Sequence, residues 1–243
     1  GAVCASGILV RAQATTALSA SGAGARAAAS RLDVLLVSAA VIYGLSVSNV
    51  NLRHIHIAVP PAQTTTPGSE IIRHRYIRRT SASQLDIAVT DIDQTITDCL
   101  VDASFVEGLI IADSVLHEQL MSKKHLIATV DELGRGRRGV AMARWVAQQA
   151  DGLSESGGES KARALMIERG WQVPELQVEL PDPVEPGGVY RVDYLWRVGD
   201  RLIIGEFDGF IKSEKAAAEG KLAKAQFDER QRESRLTMLD SCK

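Results

Sequence analysis

The stretch YRVDYLWRVGDRLIIGEFDGFIK, Tyr190 to Lys212, decides the fold of the second half of this chain. Two apolar runs, Val192 to Val198 and Arg201 to Phe207, flank the dipeptide Gly199-Asp200. Apolar runs separated by a Gly/Asp dipeptide are typical of two antiparallel strands joined by a tight turn. The sequence therefore predicts a β-hairpin here.

Three carboxylates gather at one end of the predicted hairpin. Asp193 lies near the start of the first strand, and Glu206 and Asp208 close the second. Because side chains alternate along a strand, Glu206 and Asp208 point to the same side, and antiparallel pairing places Asp193 roughly opposite Glu206. Burying this much negative charge without a counter-ion is costly, so the cluster predicts a cation. Ligands that are all oxygen favour Mg²⁺ or Mn²⁺.

The whole chain has the composition of an ordinary globular protein. Its 243 residues suffice for one large or two small domains. A net charge of -2 gives no global sign of nucleic-acid binding, so any such surface must be local. The longest apolar run, around Val34 to Leu45, is too short to span a bilayer. Three cysteines without CxxC spacing favour a reducing, cytoplasmic location: Cys4, Cys99 and Cys242.

The pattern along the chain predicts two α/β domains, residues 1–150 and 151–243, with the boundary at the polar run DGLSESGG. Residues 1–32 lack Asp and Glu, which fits a transit peptide or, as we prefer, an Ala-rich N-terminal segment. Apolar periodicity then predicts a mixed α/β domain. Its predicted elements are a helix at 32–45, strands at 55–59, 70–77 and 87–90, and helices at 91–103, 106–116, 123–133 and 137–150.

The second domain is predicted to have the order α-β-β-β-α. A helix at 160–169 ends at Gly170, and a strand at 174–180 precedes the hairpin. A long helical segment, 213–239, follows it and is rich in Lys and Arg.

This order of elements resembles the PD-(D/E)XK, or restriction-endonuclease-like, superfamily. The motifs Val192-Asp193-Tyr194 and Glu206-Phe207-Asp208-Gly209 are most similar to the branch near the very-short-patch-repair endonucleases. The longer run is similar to actinobacterial AbiEi-type antitoxins or endonuclease-domain proteins. That similarity rests on SAAVIYGL at 38–45, HIAV at 56–59, GLIIADSVLH at 108–117, RRGVAMAR at 137–144 and SESGGES at 154–160.

The resemblance implies a Mg²⁺-dependent DNA endonuclease or nickase. Asp193 and Glu206 would hold the metal, and Glu159 would be a further ligand or base partner. Asp208 would join the metal shell, directly or through water, and Lys212 would steady the attacking water or the phosphate. Five basic residues would contact the nucleic-acid backbone: Arg191, Arg197, Lys215, Lys224 and Arg232.

The sequence departs from the family in three ways. Asp208 stands where the superfamily usually has Lys, which makes Lys212 the candidate for a relocated lysine. The usual strand after the basic helix is missing before Lys243, and residues 1–31 are too few for a winged helix. An alternative interpretation is therefore a non-catalytic antitoxin or transcriptional regulator that binds DNA or a toxin partner, and a further one is a defective fragment.

Each site residue also has a plainer interpretation. Asp193 could pair with an arginine at a strand end, and Glu159 could simply stabilise a helix start. Lys212 and the basic final helix could be solvated. His54 and His56 share a strand face, which permits a metal pair, but we favour a structural role; His74 and His117 belong to no evident constellation.

Overall fold

The computed structural model describes residues 33–48, 52, 54–59, 71–75, 80–182, 184–185 and 187–207. The predictions for residues 1–32 and for the basic helix at 213–239 lie outside these ranges. The described residues form six helices and seven strands, so the mixed α/β class is confirmed. They fall into two compact units, Gly1–Lys161 and Ala162–Lys243, while the boundary at residue 150 stays a prediction. None of the described helices is long and apolar enough to cross a membrane.

Two strand pairs form the sheet of the first unit. Strands β1 (Ile55–Val59) and β2 (Ile71–Arg75) run parallel, whereas β3 (Ser81–Gln84) and β4 (Ile87–Thr90) form an antiparallel hairpin. Val34 joins the pairs, because it bridges Ile57 of β1 and Val89 of β4. Its N–H donates to Ala88 O at 2.8 Å, and its own carbonyl accepts the Thr90 N–H at 2.9 Å.

Two predictions for this region are corrected. The predicted helix at 32–45 is shorter, since α1 covers Leu36–Ile42 and residues 33–35 extend along the sheet. Strand β3 was not predicted, because its sequence SASQ lacks the apolar alternation that marks a strand. Val34, Val41, Ile42, Ile87 and Val89 form the buried cluster that packs α1 against this sheet.

Four helices complete the first unit close to where the apolar spacing predicts them. They are α2 (Ile92–Asp102), α3 (Phe105–His117), α4 (Lys123–Leu133) and α5 (Val140–Gln149). Polar side chains fix the starts of three of them by accepting backbone N–H groups: Asp91 for α2, Ser104 for α3 and Ser122 for α4. The buried residues Leu100, Leu109, Leu126 and Val146 lie on their inner faces.

The turn between α4 and α5 is tightly built. Gly139 has φ 86°, and a Cβ added there would lie 2.0 Å from the Val101 carbonyl oxygen. Arg137 Nη1 lies 2.5 Å from Oδ1 of Asp98, a carboxylate that is 1% exposed. Backbone contact and ion pair together hold the turn against the last turns of α2.

Helix α6 (Gly157–Glu168) leads into the second unit, whose sheet has the order β5-β6-β7. The three antiparallel strands are β5 (Glu175–Pro181), β6 (Val189–Val198) and β7 (Arg201–Gly205). The predicted strand 174–180 and the predicted hairpin are confirmed. Leu180, Val192 and Leu195 form the buried cluster of this sheet.

Candidate functional site

The hairpin has the register that the sequence predicts. Val198 pairs with Arg201 across the Gly199-Asp200 turn, and the ladder runs back to the pair Tyr194–Gly205. Gly199 has φ 60°, as the first residue of a type II′ turn requires. One further step along this register sets Asp193 opposite Glu206, which lies just past the end of β7.

Two donors, one on β5 and one just past the end of β7, hold the carboxylate of Asp193, which is partly buried on the central strand. From the β5 side, Gln177 Nε2 donates to Oδ1 at 3.2 Å. From the β7 side, the Phe207 N–H donates to Oδ2 at 2.8 Å. No arginine pairs with Asp193 in the part of the chain that the structure describes. The plainer interpretation of Asp193 as a strand-end ion pair therefore gains no support.

Gln177 contacts the candidate site but is not marked by any pattern in the sequence. Its backbone has φ 50°, in the left-handed region, and the ladder between β5 and β6 is interrupted at Gln177 and Asp193. A positive φ at a residue other than Gly, Asn or Asp leaves no local sequence signal. Only the long-range pairing of β5 with β6 reveals that Gln177 contacts Asp193.

The other predicted ligands are placed in part. Glu206 is exposed beside the Asp193 position. Asp208 and Lys212 lie outside the described residues, as do the predicted nucleic-acid contacts Lys215, Lys224 and Arg232. Of the three predicted carboxylate residues, Asp193 and Glu206 are described and lie at opposing register positions, and the convergence of their carboxylates on a cation stays a prediction.

Glu159 has a structural role at the start of α6. Its Oε2 accepts the Glu155 N–H at 2.9 Å, and its Oε1 accepts the Ser156 hydroxyl at 2.8 Å. The Glu159 N–H in turn donates to Ser156 Oγ at 3.2 Å. The bond from the Glu159 N–H satisfies one of the N–H groups that a helix start leaves without an intrahelical partner, and the Glu159 carboxylate binds the residues just before the helix. A ligand or base role for Glu159 stays a prediction.

The two described arginines of the predicted nucleic-acid surface are both exposed on β6. Arg197 Nε donates to Glu175 Oε1 at 2.9 Å, and both side chains are about half exposed. Such surface pairs contribute little stability, so Arg197 can exchange this partner for a phosphate at low cost. Arg191 lies opposite Glu179 in the ladder between β5 and β6.

The two described carboxylates at the end of the hairpin, Asp193 and Glu206, are ligands of the chemical kind that Mg²⁺ uses. No group of three or more His, Cys, Asp or Glu side chains suited to a metal occurs among the described residues. Mg²⁺, however, keeps several waters and commonly uses one or two carboxylates together with substrate phosphates. Asp193 and Glu206 meet that requirement, and the two hydrogen bonds to Asp193 leave its remaining lone pairs available.

A histidine pair forms a second polar cluster, within the first unit. His56 Nδ1 and His74 Nε2 lie 2.9 Å apart, and the rings are tilted by only 18° with their centres 5.1 Å apart. The interpretation of His74 as belonging to no constellation is therefore wrong. The parallel register, in which His56 lies opposite Ile72, sets His74 on the same face.

These rings meet edge to edge through the two nitrogens, because the distance between their centres nearly equals the nitrogen separation plus the two ring radii. One of the two nitrogens then carries the proton and donates while the other accepts, and this N–H···N arrangement leaves no room for a metal ion between the rings. His54, His56, Asp102 and Glu107 line an adjoining cavity of about 260 Å³. Burial raises the pKa of the Cys99 thiol at this cavity, so the thiol stays protonated.

The histidine pair predicts a loss of stability in acid. Burial, together with His74, lowers the pKa of His56 to about 4 from 6.5, and burial also lowers that of His74. The unfolded chain therefore binds more protons than the folded chain between these pKa values, and stability falls as the pH drops below about 6.5. Both rings are partly exposed to solvent, which weakens the effect. We therefore expect the free energy of unfolding to fall by about 1–2 kcal/mol between pH 7.5 and pH 5.

Urea unfolding at both pH values checks this expectation. His56→Gln should flatten the dependence, whereas the control His117→Gln should preserve it. An equal pH dependence in wild type and His56→Gln would contradict the assignment.

The comparisons with known proteins give a partial match. No family model matches the chain, and no solved structure matches it. Over 84 residues the chain is 39% identical to the proteins named Uncharacterized protein Rv2248 and Uncharacterized protein MT2308, from two strains of Mycobacterium tuberculosis. This match covers 35% of the chain and 30% of each relative. The chain thus spans less than a third of the relatives' length, and their names state no activity.

Proposed function

We propose that the chain is a Mg²⁺-dependent DNA endonuclease or nickase that hydrolyses phosphodiester bonds. The main support is the 2.8 Å hydrogen bond from the Phe207 N–H to Asp193 Oδ2. This bond anchors the Glu206–Phe207 peptide beside Asp193. Two acidic residues, Asp193 on β6 and Glu206 just past the end of β7, thereby share one end of the hairpin, where a divalent cation would bind between them.

Asp193 and Glu206 supply the carboxylate oxygens of this site. Mg²⁺ bound there would polarise the scissile phosphate and lower the pKa of an attacking water. The resemblance to the PD-(D/E)XK superfamily adds Asp208 to the same site and assigns Lys212 to steady the water or the phosphate.

Nucleic acid would bind along basic side chains that are near Asp193 and Glu206 in the sequence. Arg191 and Arg197 are exposed on the strand that carries Asp193. The resemblance extends this surface to Lys215, Lys224 and Arg232. Because the net charge of the chain is -2, binding should depend on this local surface and weaken as salt is raised.

Calorimetry with Mg²⁺ and Mn²⁺, combined with nicking of supercoiled plasmid, tests the proposal. We expect the wild type to bind metal and nick DNA, and Glu206→Ala to lose both, with a fall in rate of at least about 100-fold. Glu179→Ala removes an exposed carboxylate of β5 and is the matched control for metal binding, which should equal that of the wild type.

A folded wild type that neither binds metal nor cuts DNA would overturn the nuclease proposal. The non-catalytic interpretation, an antitoxin or regulator that binds DNA or a toxin partner, would then replace it. Nicking that survives Glu206→Ala would instead place the chemistry outside the hairpin.

A further inference from the structure

Gln177 combines an unfavourable backbone with a specific contact to the candidate site. Five non-glycine residues in the described part of the chain have φ in the left-handed region, and Gln177 is the one within a strand. L-residues with side chains larger than Asn or Asp rarely adopt this conformation. A strained residue that persists is held by its surroundings, and such residues cluster at functional sites.

The strain at Gln177 coincides with the position of Asp193. Strands β5 and β6 pair in one register on both sides, at Leu176–Tyr194 and at Val178–Val192. The interruption between these pairs lets the Gln177 side chain contact Asp193, with Nε2 to Oδ1 at 3.2 Å. Since an ionised carboxylate only accepts hydrogen bonds, the amide must present its NH₂ group.

We propose that Gln177 is a positioning residue of the metal site: its side-chain amide fixes the orientation of the Asp193 carboxylate toward the metal. This inference rests on the proposed nuclease function. Gln177 acts from β5 on one oxygen of Asp193, while the Phe207 N–H acts from the other side on the second oxygen. With both oxygens held, the carboxylate cannot rotate away from the end of the hairpin.

A fixed carboxylate binds metal more tightly than a rotating one, because less freedom is lost on binding. Groups that orient metal ligands from outside the coordination shell typically contribute 10- to 100-fold to metal affinity. Loss of the Gln177 amide should therefore weaken Mn²⁺ binding. At saturating Mn²⁺ the ligands are all in place, so the nicking rate should stay near the wild-type value.

The test compares Gln177→Gly and Gln177→Ala with wild type in the full-length chain. Both variants remove the amide, but Gly also relieves the left-handed backbone, so Gln177→Gly guards against a failure to fold. We expect Mn²⁺ affinity, measured by calorimetry, to fall about 10-fold or more in both, with nicking at saturating Mn²⁺ within about twofold of wild type. Glu179→Ala, on the same strand, should bind Mn²⁺ as the wild type does.

Two outcomes would overturn the proposal in distinguishable ways. If the wild type binds Mn²⁺ and a folded Gln177→Gly binds it equally well, the positioning role is wrong while the nuclease proposal stands. If the wild type binds no Mn²⁺, both proposals are wrong.

Discussion

Asp193→Asn is expected to abolish Mg²⁺ binding and to reduce DNA nicking by at least about 100-fold, while the protein stays folded. Asparagine keeps the shape of the side chain but removes the charge that a hard cation requires. Its single oxygen can still accept the Phe207 N–H. Rotation of the Gln177 amide presents its carbonyl to the new NH₂ group, so both hydrogen bonds survive and the free energy of unfolding changes by less than about 1 kcal/mol.

Calorimetry, plasmid nicking and urea unfolding on one preparation measure these effects. Glu179→Gln provides the same loss of charge at an exposed position of the sheet and should leave metal binding intact. If folded Asp193→Asn binds Mg²⁺ as tightly as the wild type does, Asp193 is not a ligand of the metal. Asp193→Ala is less informative, because it leaves the Phe207 N–H without its acceptor.

Gly139→Ala is expected to destabilise the first unit by roughly 4 kcal/mol, because an overpacking cost adds to the penalty of a left-handed backbone at a residue with a Cβ. The new methyl group would lie 2.0 Å from the Val101 carbonyl oxygen and 3.0 Å from its carbonyl carbon. Val101 is in α2, so the clash cannot be relieved by a side-chain rotation and must move backbone. The pair of Arg137 with the buried Asp98 opposes such movement.

Gly136→Ala is the matched control, three residues earlier in the same turn. Gly136 has φ 76°, close to the 86° of Gly139, but a Cβ there would meet nothing within 4 Å. Both substitutions carry the left-handed penalty of about 1–2 kcal/mol, and only Gly139→Ala adds the clash. Thermal and urea unfolding of both variants therefore isolate the steric cost, and equal effects would show that α2 does not contact the turn as described.

The local features of this fold can be read from the sequence. The Gly199-Asp200 turn fixes the hairpin register and thus the opposition of Asp193 and Glu206. The spacing of Ile96, Cys99 and Leu100 marks the buried face of α2, and Asp91 marks its start. These signals depend on residues that are neighbours in the chain, so pattern and propensity suffice.

The features that were missed depend on contacts between distant segments. His56 and His74 meet only because β1 and β2 pair in parallel, and no local signal gives the register of two strands joined by a long connection. The left-handed backbone of Gln177 is likewise imposed by its place opposite Asp193. Polar strand β3 is held by pairing with β4 rather than by an apolar face of its own.

The bridge at Val34 has a consequence for how the first sheet opens. Strand β1 pairs with β2 and β3 pairs with β4, and the segment 33–35 joins the two pairs into one sheet. The Ala58 N–H donates to Asp33 O at 2.8 Å and the Thr90 N–H to Val34 O at 2.9 Å, so both amides lose their acceptors when this segment lifts. The Ala58 and Thr90 amides, although they lie in different strand pairs, therefore belong to one cooperative unit of local unfolding. Both become exposed to solvent in the same opening event.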